Sequence, residues 1–183
     1  MRNLALASLC SFLLSLSSLA LAHQPFWNAG SPTLAQAYRV LEPTVSKVVT
    51  GNLAAGQLAF YAFEVAAGFV LDLGIFVGAA CPSGYAPRMW LVGKSLPKAQ
   101  APFALPEGMG AKVFEGGWQP YQGHGLVARK GPEFRERLAG GTYYVVVEAG
   151  GAAGYYMISL GGSEIPGGTA EGRAALGRFN RCG

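Results

Sequence analysis

The sequence predicts an all-β protein, an antiparallel β-sandwich with a short helix or tail at its C-terminal end. Three observations point there. Apolar residues recur with the period of a strand rather than that of a helix. The 27 glycines punctuate apolar runs instead of forming a low-complexity tract, and amphipathic helical patterning is almost absent.

The first segment is an address rather than part of the fold. Arg2 provides a small positive region, Leu4 to Leu21 is apolar with five serines, and Ala20 and Ala22 fit the small-residue positions of a signal-peptidase site. Residues 1–22 are therefore expected to be removed, leaving 23–183 as a single β-sandwich domain in the periplasm or outside the cell. A cut after Ala20 would leave Leu21 first instead. Leu9 is too bulky to precede a lipid-modified Cys10. No second apolar run approaches a membrane span, so the mature chain is expected to have none.

The remaining 161 residues suffice for one core and are few for two. With Arg2 gone, 13 basic residues face 10 acidic ones, a weak balance. Arg129, Lys130, Arg135 and Arg137 form one basic stretch and Arg173, Arg178 and Arg181 another. Neither is dense enough to indicate nucleic acid, and both read as solvated faces.

Strands follow in order. Weaker ones are expected at Tyr38–Leu41 and Val45–Val49. "QLAFYAFEV" (Gln57–Val65) is aromatic-rich and is followed, after Ala66-Ala67-Gly68, by "FVLDLGIFV", in which Phe69, Leu71, Leu73, Ile75 and Val77 share a face. The pair reads as a hairpin. Met89–Val92, Ala111–Phe114 and Glu133–Leu138 are further weak strands, with loops at 97–110 and 116–125 between them. "TYYVVVEA" (Thr142–Ala149) and "YYMISL" (Tyr155–Leu160) flank a Gly-rich turn, and a short helix is expected around Ala170–Phe179. Cys81 and Cys182 are the only cysteines of the mature chain. In an oxidising compartment they are expected to form one disulfide.

"GQLAFYAFEVAAGFVLDLGI", followed after a gap by "GPEFRERLAGGTYYVVVEAGGAAGYYMISLGG", resembles the bacterial pre-peptidase C-terminal domain over roughly residues 45–162. The resemblance rests on fold-making residues: a Gly-Gln start, a Tyr-x-Phe strand, then "G-x-Y" strands. It implies a jelly-roll-like sandwich that accompanies secreted enzymes without being catalytic, some relatives of which bind calcium or carbohydrate. Calcium suits this chain poorly, because Asp72 is its one aspartate.

No G-x-S-x-G elbow, H-E-x-x-H, Walker loop or C-x-x-C is present, so the chain is read as a non-enzyme with no catalytic residues and no obligatory cofactor. The leading functional expectation is an exported binding, structural or accessory module at the cell surface or in the periplasm, with a polysaccharide or another cell-envelope component as partner. Two alternatives name residues. If the chain begins at His23, its α-amine and ring nitrogen, together with the ring of His124, would make a three-nitrogen histidine brace of the kind that suits copper. Alternatively, Trp118 and Tyr121, with Phe114 nearby, would form an aromatic platform for sugar rings, with Phe26 and Trp27 as another.

Overall fold

The structure is a computed structural model that describes residues 23–183; the export signal expected over residues 1–22 lies outside the described residues. Within them the chain forms two packed sheets. The six-stranded sheet has the order β1 (Gln24–Asn28), β3 (Lys47–Leu53), β11 (Gly154–Leu160), β5 (Val70–Gly78), β9 (Leu126–Arg137), β8 (Gln119–Gly123). The five-stranded sheet has the order β2 (Tyr38–Arg39), β4 (Leu58–Val65), β10 (Gly141–Glu148), β6 (Arg88–Gly93), β7 (Gly110–Phe114). The expected C-terminal helix is α1 (Ala170–Phe179), capped by Thr169, whose hydroxyl accepts from Gly172 N at 3.0 Å.

The alternating face of β5 lies in the core as its period requires: Leu71, Leu73, Ile75 and Val77 are fully buried against residues such as Tyr61, Phe63, Val145 and Val147 of the other sheet. Its partners differ from the expectation. β4 pairs with β2 and β10, whereas β5 pairs with β11 and β9, so Ala66-Ala67-Gly68 carries the chain from one sheet to the other instead of closing a hairpin. The turn between β10 and β11 does the same. Burial explains both. Each strand has one strongly apolar face, and crossing between layers lets consecutive strands turn those faces toward one another across the core.

Two segments for which no strand is expected turn out to be strands. Gln24–Asn28 is β1 and runs parallel to β3. Residues 119–123, inside the expected loop 116–125, form β8, which pairs with a β9 extending back to Leu126. β2 also runs parallel to β4, so the sandwich is antiparallel except at these two N-terminal additions. The long connection between β6 and β7 has a different role. Phe103, Leu105 and Met109 from it cover Phe60, Trp90, Val92 and Val146 on the outer face of the five-stranded sheet, forming a second, smaller apolar cluster.

Helix α1 packs on β1, β3 and β11. The approach depends on two glycines. A Cβ on Gly172 would lie 2.1 Å from the Pro25 carbonyl oxygen of β1, and one on Gly78 of β5 would lie 2.1 Å from that of Phe179. Both ends of the helix are thereby held at backbone contact with the sheet. Beyond α1, Cys182 is bonded to Cys81, the expected disulfide, which fastens the tail to the segment following β5.

Candidate metal centre

β1 places His23. Gln24 N donates to the Ser46 carbonyl at 2.9 Å, and the Gln24 side chain donates to the Ile165 carbonyl at 3.2 Å. Thr169 N donates to the Pro25 carbonyl at 2.9 Å. The strand is thus clasped by β3 on one side and by the segment leading into α1 on the other. His23 is half-buried, and its Nδ1 shares a short hydrogen bond with the Ser46 hydroxyl. Burial pushes the His23 imidazole below its ordinary range; the neighbouring His124 acts in the same direction and Glu164 opposes it. Glu164 is brought to this end by Ser46 N, which donates to the Ser163 carbonyl at 2.8 Å.

His124 sits at the tip of the β8–β9 hairpin, between the paired residues Gly123 and Leu126. Its φ is +50° and that of Gly125 is +75°, the two positive values of a type I′ turn. Glycine or asparagine suits the first of these positions best; histidine is among the other residues found in this region, at a cost on the order of 1 kcal/mol. The ring is exposed, so burial does not explain its presence.

The two histidines meet. β1 and β8 are opposite edges of the six-stranded sheet, yet the ring centroids of His23 and His124 are 6.2 Å apart with the planes at 77°. Two imidazoles ligating one ion from opposite sides have centroids about 6 Å apart, because each metal–nitrogen bond is about 2.0 Å and each ring adds roughly 1 Å. Among the described residues no group of three or more His, Cys, Asp or Glu side chains is placed to hold a metal.

The other candidate residues are placed differently. Trp118 lies over Gly131 and packs against the main core, with the Arg129 guanidinium 5.9 Å from its ring centre. Tyr121 packs edge-on against Phe76 at 5.2 Å, and Phe114 against Phe134 at 4.8 Å. Each leans on the sheet rather than on the others. Trp27 stacks on Tyr155 at 5.4 Å, and Phe26, the next residue along an extended strand, faces the other way. The basic stretches are partly structural. Arg129 donates to the Pro82, Ser83 and Tyr85 carbonyls and Arg137 to that of Gly68.

Three polar residues around the histidines gave no signal in the sequence. Ser46, Glu164 and Asn180 belong to no spacing pattern, and their relevance comes from pairings between distant segments. The strand expected at Val45–Val49 already includes Ser46, which in the structure immediately precedes β3, but a strand expectation does not place the serine beside His23.

The chain is similar to a pre-peptidase C-terminal domain. That domain, from a collagenase of Bacillus anthracis, is 18% identical, with 68% of this chain and 93% of that one covered at a TM-score of 0.40. It is the kind of domain that residues 45–162 resemble in sequence. The chain is also similar to PliG, a periplasmic lysozyme inhibitor of g-type lysozyme. The PliG of Salmonella Typhimurium is 11% identical (68% and 96% covered, TM-score 0.35), and that of Aeromonas hydrophila is 15% identical (75% and 97%, TM-score 0.37). No protein-family model matches the chain, and no curated protein does. Among the described residues no helix is long and apolar enough to cross a membrane.

Proposed function

We propose that the protein, cut to begin at His23, is an exported, non-catalytic copper-binding β-sandwich module. The His23 α-amine, the His23 Nδ1 and a ring nitrogen of His124 hold one Cu(II). The observation that carries this reading is the 6.2 Å approach of two histidines from opposite edges of a sheet, one of them kept in a left-handed turn position. Three neutral nitrogens form a donor set that favours copper among the divalent first-row ions. The amine and Nδ1 of one histidine close a chelate ring, so Nδ1 must leave Ser46 when the ion binds. The carbohydrate reading lacks comparable support, because the aromatic side chains it needs pack back onto the sheet.

The test is Cu(II) titration of protein shown by mass spectrometry to start at His23. Micromolar or tighter binding is expected, with nitrogen hyperfine structure in the electron paramagnetic resonance spectrum. Binding should be lost in His124→Ala and in protein whose α-amine has been acetylated. Absence of binding by the unmodified protein would overturn the reading.

Ser46 gives a prediction of opposite sign. The hydroxyl stabilises the metal-free form by occupying Nδ1, a hydrogen bond worth about 0.5–1.5 kcal/mol. Ser46→Ala should therefore tighten Cu(II) binding by about two- to tenfold. Competition titration against a chelator measures it, and unchanged affinity would show that Nδ1 is not the nitrogen released.

A further inference from the structure

We infer that Asn180 is the positioning residue of this site, the group that sets His124 opposite His23. This deepens the copper reading and rests on it for its metal readout. Asn180 is the residue immediately after α1, and its side chain grips the β8–β9 hairpin twice: Oδ1 accepts from Val127 N at 3.0 Å, and Nδ2 donates to the Gly125 carbonyl at 2.9 Å. Gly125 is the residue next to His124 in the turn. The two bonds fix both the approach of the tip and its rotation about the strand axis, since one is made to a donor and the other to an acceptor on either side of Leu126.

What Asn180 is attached to makes it a strut rather than a surface contact. α1 meets β1 at backbone distance through Gly172 and Pro25, and Pro25 lies two residues from His23, which immediately precedes the strand. At its other end the Phe179 carbonyl lies over Gly78, and Cys182 N donates back to that carbonyl at 3.1 Å before the chain is fastened through the disulfide. The helix thus spans from the strand that carries His23 to the turn that carries His124, with no slack at either end. Backbone pairing holds the hairpin as far as Val127, whose carbonyl accepts from Ala79 N at 3.0 Å, and Asn180 carries the hold past it to Gly125, the residue beside His124.

The experiment uses the full mature protein with Asn180→Ala and Asn180→Asp. The aspartate keeps the acceptor for Val127 N and loses the donor to Gly125. Three readouts are taken: thermal denaturation as a check on folding, nuclear Overhauser contacts between the His23 and His124 ring protons in the metal-free protein, and Cu(II) affinity with the paramagnetic resonance spectrum. Asn180→Ala should stay folded, lose the ring contact and bind Cu(II) about 10- to 100-fold more weakly with an altered spectrum, the magnitude typical of outer-shell orienting groups. Asn180→Asp should fall between. If Asn180→Ala does not fold, the aspartate variant decides by the same readouts. Retention of the ring contact with unchanged affinity and spectrum would overturn the inference and leave the copper reading standing. If the unsubstituted protein binds no Cu(II), the copper reading falls and the ring contact alone decides: its loss in the variant supports the positioning role and its retention overturns it.

Discussion

Replacing both Cys81 and Cys182 by serine should lower the stability of the fold by about 4–5 kcal/mol, the denatured-state entropy released when a loop of this length is opened. The bond joins residues 101 apart, so the loop it closes contains β6 to β11 and α1. Two effects compete in setting the size of the loss. The helix has its own attachments: Ala175 and Phe179 are fully buried, the Thr169 cap is formed, and Gly172 and Gly78 allow backbone contact. If these alone held the tail, opening the disulfide would fray only its last residues, at a cost of a few tenths of a kcal/mol. The chain-entropy effect acts instead on the whole denatured chain and is the larger by about an order of magnitude. For a domain of this size each kcal/mol moves the melting temperature by about 2–4 °C, so the serine variant should melt roughly 8–20 °C lower. Calorimetry of the oxidised protein, the reduced protein and the double variant checks this. A drop under about 3 °C would mean that only the tail responds.

The elements that the sequence makes plain share a physical cause. β5, β10 and β11 carry β-branched and aromatic residues on a buried face, and a pattern that follows from burial can be read without knowing the neighbours. Strand partners cannot be read in this way. Period two reports which face is covered, not which strand lies alongside, and so β4 and β5 suggest a hairpin although they lie in different sheets. The two missed strands, β1 and β8, are the edges of the six-stranded sheet, and each contains a proline, Pro25 or Pro120. Proline weakens a strand reading because it cannot donate to a ladder, but an edge strand has a side on which no donor is needed. The site follows the same division. His23 and His124 can be named from the sequence because they are the only histidines. Their meeting depends on a helix that links opposite edges of a sheet, and on Asn180 and Ser46, which no local pattern marks.

His124→Asn should move stability and metal binding in opposite directions. The substitution creates Asn-Gly at the two central positions of the β8–β9 turn, the pair that type I′ geometry favours most, at a residue whose φ is +50°. Asparagine tolerates that region better than histidine because its short side chain can bond to nearby backbone, so the metal-free protein should gain about 0.5–1 kcal/mol. The ring it removes is exposed to solvent, so the edge-on contact it makes with His23, 6.2 Å between centroids, offsets only part of that gain. Copper affinity should fall by more than about 100-fold, since loss of a ligand exceeds the 10- to 100-fold cost of disturbing an orienting group. Chemical denaturation without metal gives the first quantity and competition titration the second. A histidine retained only for the turn would show the first change without the second. A ring packed for structural reasons would lose stability on substitution. The two changes together require that the strained histidine is held at the tip for what its nitrogen does. A variant that binds Cu(II) as tightly as the parent would remove His124 from the site.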